Sequence, residues 1–191
     1  MKRFIWFIGM CLCATGALKS QSAPLRIQYV ETESPSFGQV VRISGAFKDR
    51  KCSLRMAHSR EGKVSYTELT PVPLVLEDTV RLFHFSAEPL RKHTVRFTVE
   101  AGDTIVKEAT VEDVLHSILL ETYSARGYTT CDTVPLTAYS NGYVTEQMVE
   151  GKMVKRGSYC EVRDAKLPPA QWHEVFKMQD YIWFELLFDC P

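Results

Sequence analysis

The sequence has no excess of either charge sign. Its 191 residues carry 23 Lys and Arg against 23 Asp and Glu. A nucleic-acid partner would call for a basic stripe, and an anionic membrane surface for a polybasic cluster; neither occurs. Also missing are the short motifs of common chemistries: C-x-x-C, H-x-H, H-E-x-x-H, the G-x-S-x-G elbow, the P-loop and the dinucleotide fingerprint. Their absence removes the zinc sites, redox dithiols, hydrolase nucleophiles and nucleotide loops that a sequence can display. His58, His84, His93, His116 and His173 follow no ligand spacing and read as solvent-facing or internally satisfied, since strand positions converge only in three dimensions. His84 lies between Phe83 and Phe85 and should alternate away from them to the surface. Glu112, Asp113 and Glu121 read as solvated faces and not as a glycosidase pair. No catalytic, cofactor-binding or metal-binding residue is assigned, and no cofactor is expected.

Long apolar runs are scarce too, with one exception at the start. Lys2 and Arg3 precede an uncharged apolar stretch from Phe4 to Leu18, which gives way to Lys19, Ser20, Gln21, Ser22, Ala23 and Pro24. That is the order of a cleavable signal peptide, here residues 1–22, with Ser20 or Ser22 as the last residue removed. The run is shorter than the roughly 20 residues a membrane span requires. Met10 and Leu12 stand before Cys11 and Cys13, where a lipoprotein site would place a small residue. The expectation is therefore a periplasmic, extracellular or cell-surface protein with no stable membrane anchor after cleavage. Removing the leader takes away three basic residues and no acid, so the mature chain is slightly acidic at 20 against 23.

Four cysteines survive maturation: Cys52, Cys131, Cys160 and Cys190. An even count in an exported protein reads as two disulfides, with three pairings open. Cys160 with Cys190 is favoured, because these two flank what should be neighbouring strands.

What the chain does contain is period-two alternation of β-branched and aromatic residues, broken at regular intervals by turn chemistry. Strands are expected at Arg26 to Val30, Gln39 to Ser44, Val80 to Phe85, Val95 to Val99 and Thr104 to Val111, the last two joined through Ala101, Gly102 and Asp103. The stretch from Cys52 to Ala57 and the stretch from Val64 to Leu69 should form a hairpin through Arg60, Glu61, Gly62 and Lys63. The segment Val72 to Leu76, preceded by Pro71 and interrupted by Pro73, belongs on a sheet edge. Seven or so strands in residues 25–113 suggest an immunoglobulin-like sandwich without that fold's disulfide and tryptophan. Residues 114–191 form the second expected domain. There Thr145 caps a helix over 146–155, with Met148, Val149 and Met153 as its buried stripe and Gly157 at its exit. Strands are expected at His116 to Tyr123, Leu136 to Ser140, Ser158 to Ala165 and Tyr181 to Phe188. The last is apolar almost throughout, which suits a central strand covered on both faces. The fold class is thus all-β, mainly antiparallel, with two β-sandwich-like domains and one short helix.

The run from Ser140 through Asn141, Gly142 and Tyr143 to Met148, then Lys155, Arg156 and Gly157, then Tyr159 to Ala165, resembles the last domain of the GldM/PorM family. In that family a strand enters an Asn-Gly-type turn, then a Thr- or Ser-capped helix containing Met, a Lys-Arg-Gly turn and a further strand. The resemblance covers about 50 residues, and the strand from Tyr181 to Leu187 falls where the family places its closing strand. It implies a β domain with a noncatalytic, protein-contacting habit, in a family of periplasmic components of the gliding and type IX secretion machinery of Bacteroidetes-type bacteria. This chain departs from that plan in lacking the family's long helical region and in carrying an insertion from Leu167 to Gln179.

That insertion and its neighbour crowd Trp172, His173, Phe176, Tyr181, Trp183 and Phe184 behind Pro168 and Pro169. Aromatic clusters are most often core, with Trp183 and Phe184 in a buried strand and Trp172 as a lid. Exposed, the set Trp172, His173, Phe176, Tyr181 and Trp183 would be a binding surface. Tyr123, Tyr128, Tyr139 and Tyr143 form a second group. The expected function is noncatalytic binding to another envelope or secreted protein. The alternatives are a carbohydrate- or peptide-binding module, and a small secreted enzyme or inhibitor whose site is assembled from distant residues.

Overall fold

The structure, a computed structural model, describes residues 24–30, 38–112, 115–123 and 127–189. The expected signal peptide, Asp113 and Cys190 lie outside the described residues. No helix among the described residues is long and apolar enough to cross a membrane.

Strands dominate the described residues, with only short helical pieces beside them, so the all-β expectation holds. In chain order the strands are β1 (Pro24–Val30), β2 (Gly38–Gly45), β3 (Arg50–Arg60), β4 (Lys63–Glu68), β5 (Leu74–Leu76), β6 (Val80–Arg91), β7 (Thr94–Ala101), β8 (Asp103–Thr110), β9 (Ile118–Glu121), β10 (Tyr128–Thr129), β11 (Thr133–Ser140), β12 (Tyr143–Val149), β13 (Lys152–Ser158) and β14 (Asp180–Phe188). Two short helices, α1 (Cys160–Asp164) and α2 (Trp172–Phe176), and a 3-10 turn, Pro169–Gln171, lie between β13 and β14.

Two antiparallel sheets face each other. The first has the order β10-β1-β2-β6-β7-β8 and the second β4-β3-β14-β11-β9, with β5 beside β3. Alternation decides which side chains go inward. Val41, Ile43, Phe83, Phe85, Val95, Phe97 and Val99 of the first sheet meet Leu54, Leu136, Ile182, Phe184 and Leu186 of the second in one buried cluster. Phe97 packs edge-on against Phe184 and Tyr139, with ring centroids at 5.1 and 5.2 Å. Side chains of this size each contribute about 1.5–3 kcal/mol on full burial. His84 points outward between its buried phenylalanines, as expected.

The expected division at residue 113 is not observed. Strand β14, near the C-terminus, pairs with β3 over Asp180↔Arg60 to Phe188↔Cys52, and with β11 on its other side. β10 pairs with β1 across the same boundary. The first half therefore supplies only β3, β4 and β5 to the second sheet, which the second half completes. Local alternation shows that a strand exists but not which strand lies beside it.

Two further expectations are corrected. Residues 146–155 are not helix: β12 and β13 form a hairpin, in register from Tyr143↔Ser158 to Val149↔Lys152. Its turn is Glu150-Gly151, with φ of 50° and 76°. Both values are positive, as a two-residue hairpin turn requires, and glycine meets that demand without strain. The segment from Ser158 to Ala165 is not a strand beyond its first residue, because it turns into α1. The helix and strand through which the GldM/PorM resemblance ran are thus hairpin and helix here.

Candidate functional site

Residues 159–179 fold back over the outer face of the second sheet. There Val162, Trp172 and Met178 join Ala57, Leu120, Ala138, Tyr181 and Trp183 in a second buried cluster. Trp183 lies between Ala57 and Ala138 in the ladder, and these small neighbours leave room for the aromatic stack. Its ring centroid is 5.6 Å from that of Tyr181, which is 5.7 Å from Trp172. Each polar handle is satisfied. Trp172 Nε1 donates to Leu167 O at 3.0 Å, Tyr181 Oη to Pro169 O at 2.8 Å and Trp183 Nε1 to Glu185 Oε1 at 2.5 Å. The Glu185 carboxylate also holds Arg55 at 2.7 Å.

Trp172, Tyr181 and Trp183 are at most 1% exposed. His173 and Phe176 are half-buried. The aromatic set is therefore core, and its tryptophans give a sugar ring no platform. The tyrosines do not form one exposed face either. Tyr128 and Tyr139 are buried, and Tyr123 packs edge-on against Tyr29 at 5.3 Å. Strand β14 is covered on both faces, as its apolar run implied.

The cysteines likewise depart from expectation. Cys160 is an exposed free thiol at the start of α1, so the pairing with Cys190 is not formed. Cys52 is free and buried in the core, where burial pushes its thiol up to about 12 and keeps it unreactive. Cys131 is disulfide-bonded.

The arrangement with functional character lies at one end of the sandwich, where connections from both sheets meet. A cleft of about 1010 Å³ is lined by Lys92 and His93 from the β6–β7 turn, Glu112 beyond β8, His116, Tyr143 and Tyr159 at the foot of the β12–β13 hairpin, and Phe176 to Asp180 before β14. It continues into a groove bounded by Arg60, Glu61, Thr110 and Val111, sharing His93, Glu112, Gln179 and Asp180.

Asp180 clamps this end. Its side chain is only 6% exposed and takes His58 Nε2 at 2.6 Å, the Glu112 backbone N–H at 2.7 Å and Arg60 at 3.7 Å. His93 Nδ1 lies 2.7 Å from Glu112 O, and Val111 N donates to His93 O at 3.0 Å. Tyr159 Oη donates to His116 O at 2.6 Å. His173 Nδ1 lies 2.8 Å from Met178 O, and its ring sits against Gly62, where an added Cβ would approach to 2.6 Å.

Four of the five histidines thus gather at this end from distant points of the sequence. Sequence spacing gave no sign of it, because strand pairing brings them together. The Asp180 carboxylate is engaged on both oxygens, which makes it a positioning group for the loops and not a free general base. Among the described residues no three His, Cys, Asp or Glu side chains are grouped to hold a metal.

No protein-family model, curated protein or solved structure matches the chain. The site must therefore be interpreted from its own chemistry.

Above the cleft stands the β12–β13 hairpin, a two-stranded sheet paired with no other strand. Met148 and Met153 oppose each other on one face and are 65% and 59% exposed; Val149 and Val154 lie on the other at 49% and 44%. Two-stranded hairpins are marginal in water, and methionine at a contact surface adapts readily to its neighbour. The helix expected at this position would have hidden these residues in a core; the hairpin displays them.

Proposed function

We propose that the protein is an exported, noncatalytic binding protein that contacts another envelope or secreted protein through the loop end of its sandwich. The observation that carries this reading is the hairpin rising from the cleft rim with four large apolar side chains exposed around its tip. Contiguous apolar surface rimmed by polar residues marks contact sites in soluble proteins. Loops presented by a rigid β scaffold are where such folds place recognition.

Export rests on Lys2, Arg3 and the apolar stretch from Phe4 to Leu18. The envelope-accessory role in a Bacteroidetes-type secretion or gliding machinery rests on the sequence pattern from Ser140 to Ala165 alone, since the helix and strand expected there are a hairpin and a helix. Mass measurement of the mature N-terminus should place it just after Ser20 or Ser22; an intact Met1 in the exported fraction would contradict the leader.

The contact itself is tested by placing a photo-crosslinking residue at position 92 or 177, on the cleft rim, and at 82 or 106, on the exposed side of the first sheet. In the producing cells the rim positions should yield one discrete adduct that the sheet positions do not. Equal yields from both sets, or none from the rim, would overturn the reading.

A further inference from the structure

We propose that the cleft is a saccharide site, which takes a short neutral oligosaccharide against its aromatic wall. This goes beyond the protein-contacting reading and uses none of the apolar side chains around the hairpin's tip, so either can fail without the other.

Shape supplies the first argument. At about 1010 Å³ the cleft stands at the top of the roughly 300–1,000 Å³ range of ligand pockets, and it runs on into the groove beside Thr110 and Val111. An elongated ligand fits such a path better than a single compact ring.

The aromatic wall supplies the second. Tyr143 and Phe176 stand 6.0 Å apart with their ring planes at 51°, and they share the cleft with Tyr159; all three are half-buried. The hydrogen bond from Tyr159 Oη to His116 O fixes that ring in place, so the wall needs little ordering to receive a ligand. Sugar rings present faces of C–H groups that stack on aromatic rings, while their rims carry hydroxyls.

The polar groups supply the third. A sugar hydroxyl both donates and accepts, so its site needs partners of both kinds that are not already engaged. Among the described residues the Asn141 amide, the Tyr143 hydroxyl, the Glu112 carboxylate and the Lys92 ammonium have no hydrogen-bond partner. His93 is bonded through Nδ1 to Glu112 O at 2.7 Å, which keeps Nε2 for a ligand.

Charge then chooses among polar ligands. Lys92 and Lys177 of the cleft are matched by Glu112 and Asp180, and the adjoining groove adds Arg60 against Glu61. That balance gives no excess cation to a phosphate, sulfate or carboxylate, and a neutral polyhydroxy ligand fits it.

The test probes an array of neutral, sialylated, uronic-acid and sulfated oligosaccharides with the full mature chain, then titrates the leading neutral glycan by calorimetry. Neutral glycans should bind, with a Kd below about 1 mM. That Kd should rise at least about tenfold in Asn141→Ala/Glu112→Ala, which removes two unpaired polar groups. It should rise similarly in Tyr143→Ala and stay within about threefold of the original in Tyr143→Trp, which keeps a ring to stack on. Unchanged circular dichroism and Tm confirm that the Asn141→Ala/Glu112→Ala variant is folded. A blank array, binding confined to charged glycans, or affinity unchanged in that variant would overturn the proposal. So would a blank array with linear peptides enriched from a phage-displayed library, which would put a polypeptide in the saccharide's place. Rim crosslinking decides the protein-contacting reading separately.

Discussion

Two excursions leave the second sheet between β11 and β14, and both are rich in large apolar residues. The first, hairpin β12–β13, keeps Met148, Val149, Met153 and Val154 in solvent, whereas the second, residues 159–179, buries Trp172, Val162 and Met178 against the sheet. Apolar content does not separate them. What separates them is the surface each can reach: Ala57 and Ala138 leave a recess around Trp183 that Trp172 and Tyr181 fill, while the hairpin shares a sheet with no other strand. One excursion acts as core, and the other leaves its apolar side chains in solvent.

The largest expected effect would break this comparison from the buried side. Trp172→Ala or Trp183→Ala should cost about 3–5 kcal/mol in denaturant unfolding, the range for a buried aromatic truncated in a packed core. A loss below about 1 kcal/mol would mean that the helical cover is not core.

The next effect concerns the cysteines. Burial raises Cys52 from 9.0 to about 12 and holds Tyr29 above its ordinary 10.0. The folded chain then keeps protons that the unfolded chain has lost, so stability is intact below about pH 9 and falls as pH rises towards 12. Urea midpoints at pH 8 and pH 11 should show a loss on the order of 2 kcal/mol from Cys52 alone. The loss should shrink by that amount in Cys52→Ala, when each variant is compared with itself at pH 8. In the native chain maleimide should label Cys160 on the cover's surface quickly, and Cys52 only on unfolding.

Tyr29→Phe should cost about 1–3 kcal/mol in the same assay. The Tyr29 hydroxyl donates to Thr122 O at 2.6 Å and accepts from Thr122 N at 2.8 Å, and Thr122 Oγ1 in turn donates to Pro135 O at 2.9 Å. This network ties the first sheet to the second. At the other extreme, Met148→Ser/Met153→Ser should change stability by less than about 0.5 kcal/mol, since both side chains already face water.

The sequence was legible where strand logic is local. The tripeptide Glu-Gly-Lys occurs twice, at 61–63 and at 150–152, and both copies make the same two-residue hairpin turn with positive φ at Glu and Gly. The first was readable because clean alternation flanks it. At the second, Met148, Val149 and Met153 also fit a helical stripe, and Thr145 looks like a cap. That helical reading lost to the turn. The apolar run of β14 disclosed a strand covered on both faces, but not that its neighbours would be β3 and β11. The site was least legible of all. His58, His93, His116 and Asp180 have no spacing in common, and only strand pairing assembles them at one end.

The division of labour between the two excursions is tested most directly by replacing residues 145–156 with Asn-Gly, which shortens the hairpin to its foot, and measuring Tm. With about 2–4 °C expected per kcal/mol at this chain length, the account predicts a shift below about 2 °C. A fall of about 8 °C or more, comparable to that of Trp172→Ala, would make the hairpin part of the fold and contradict its proposed role as a contact surface.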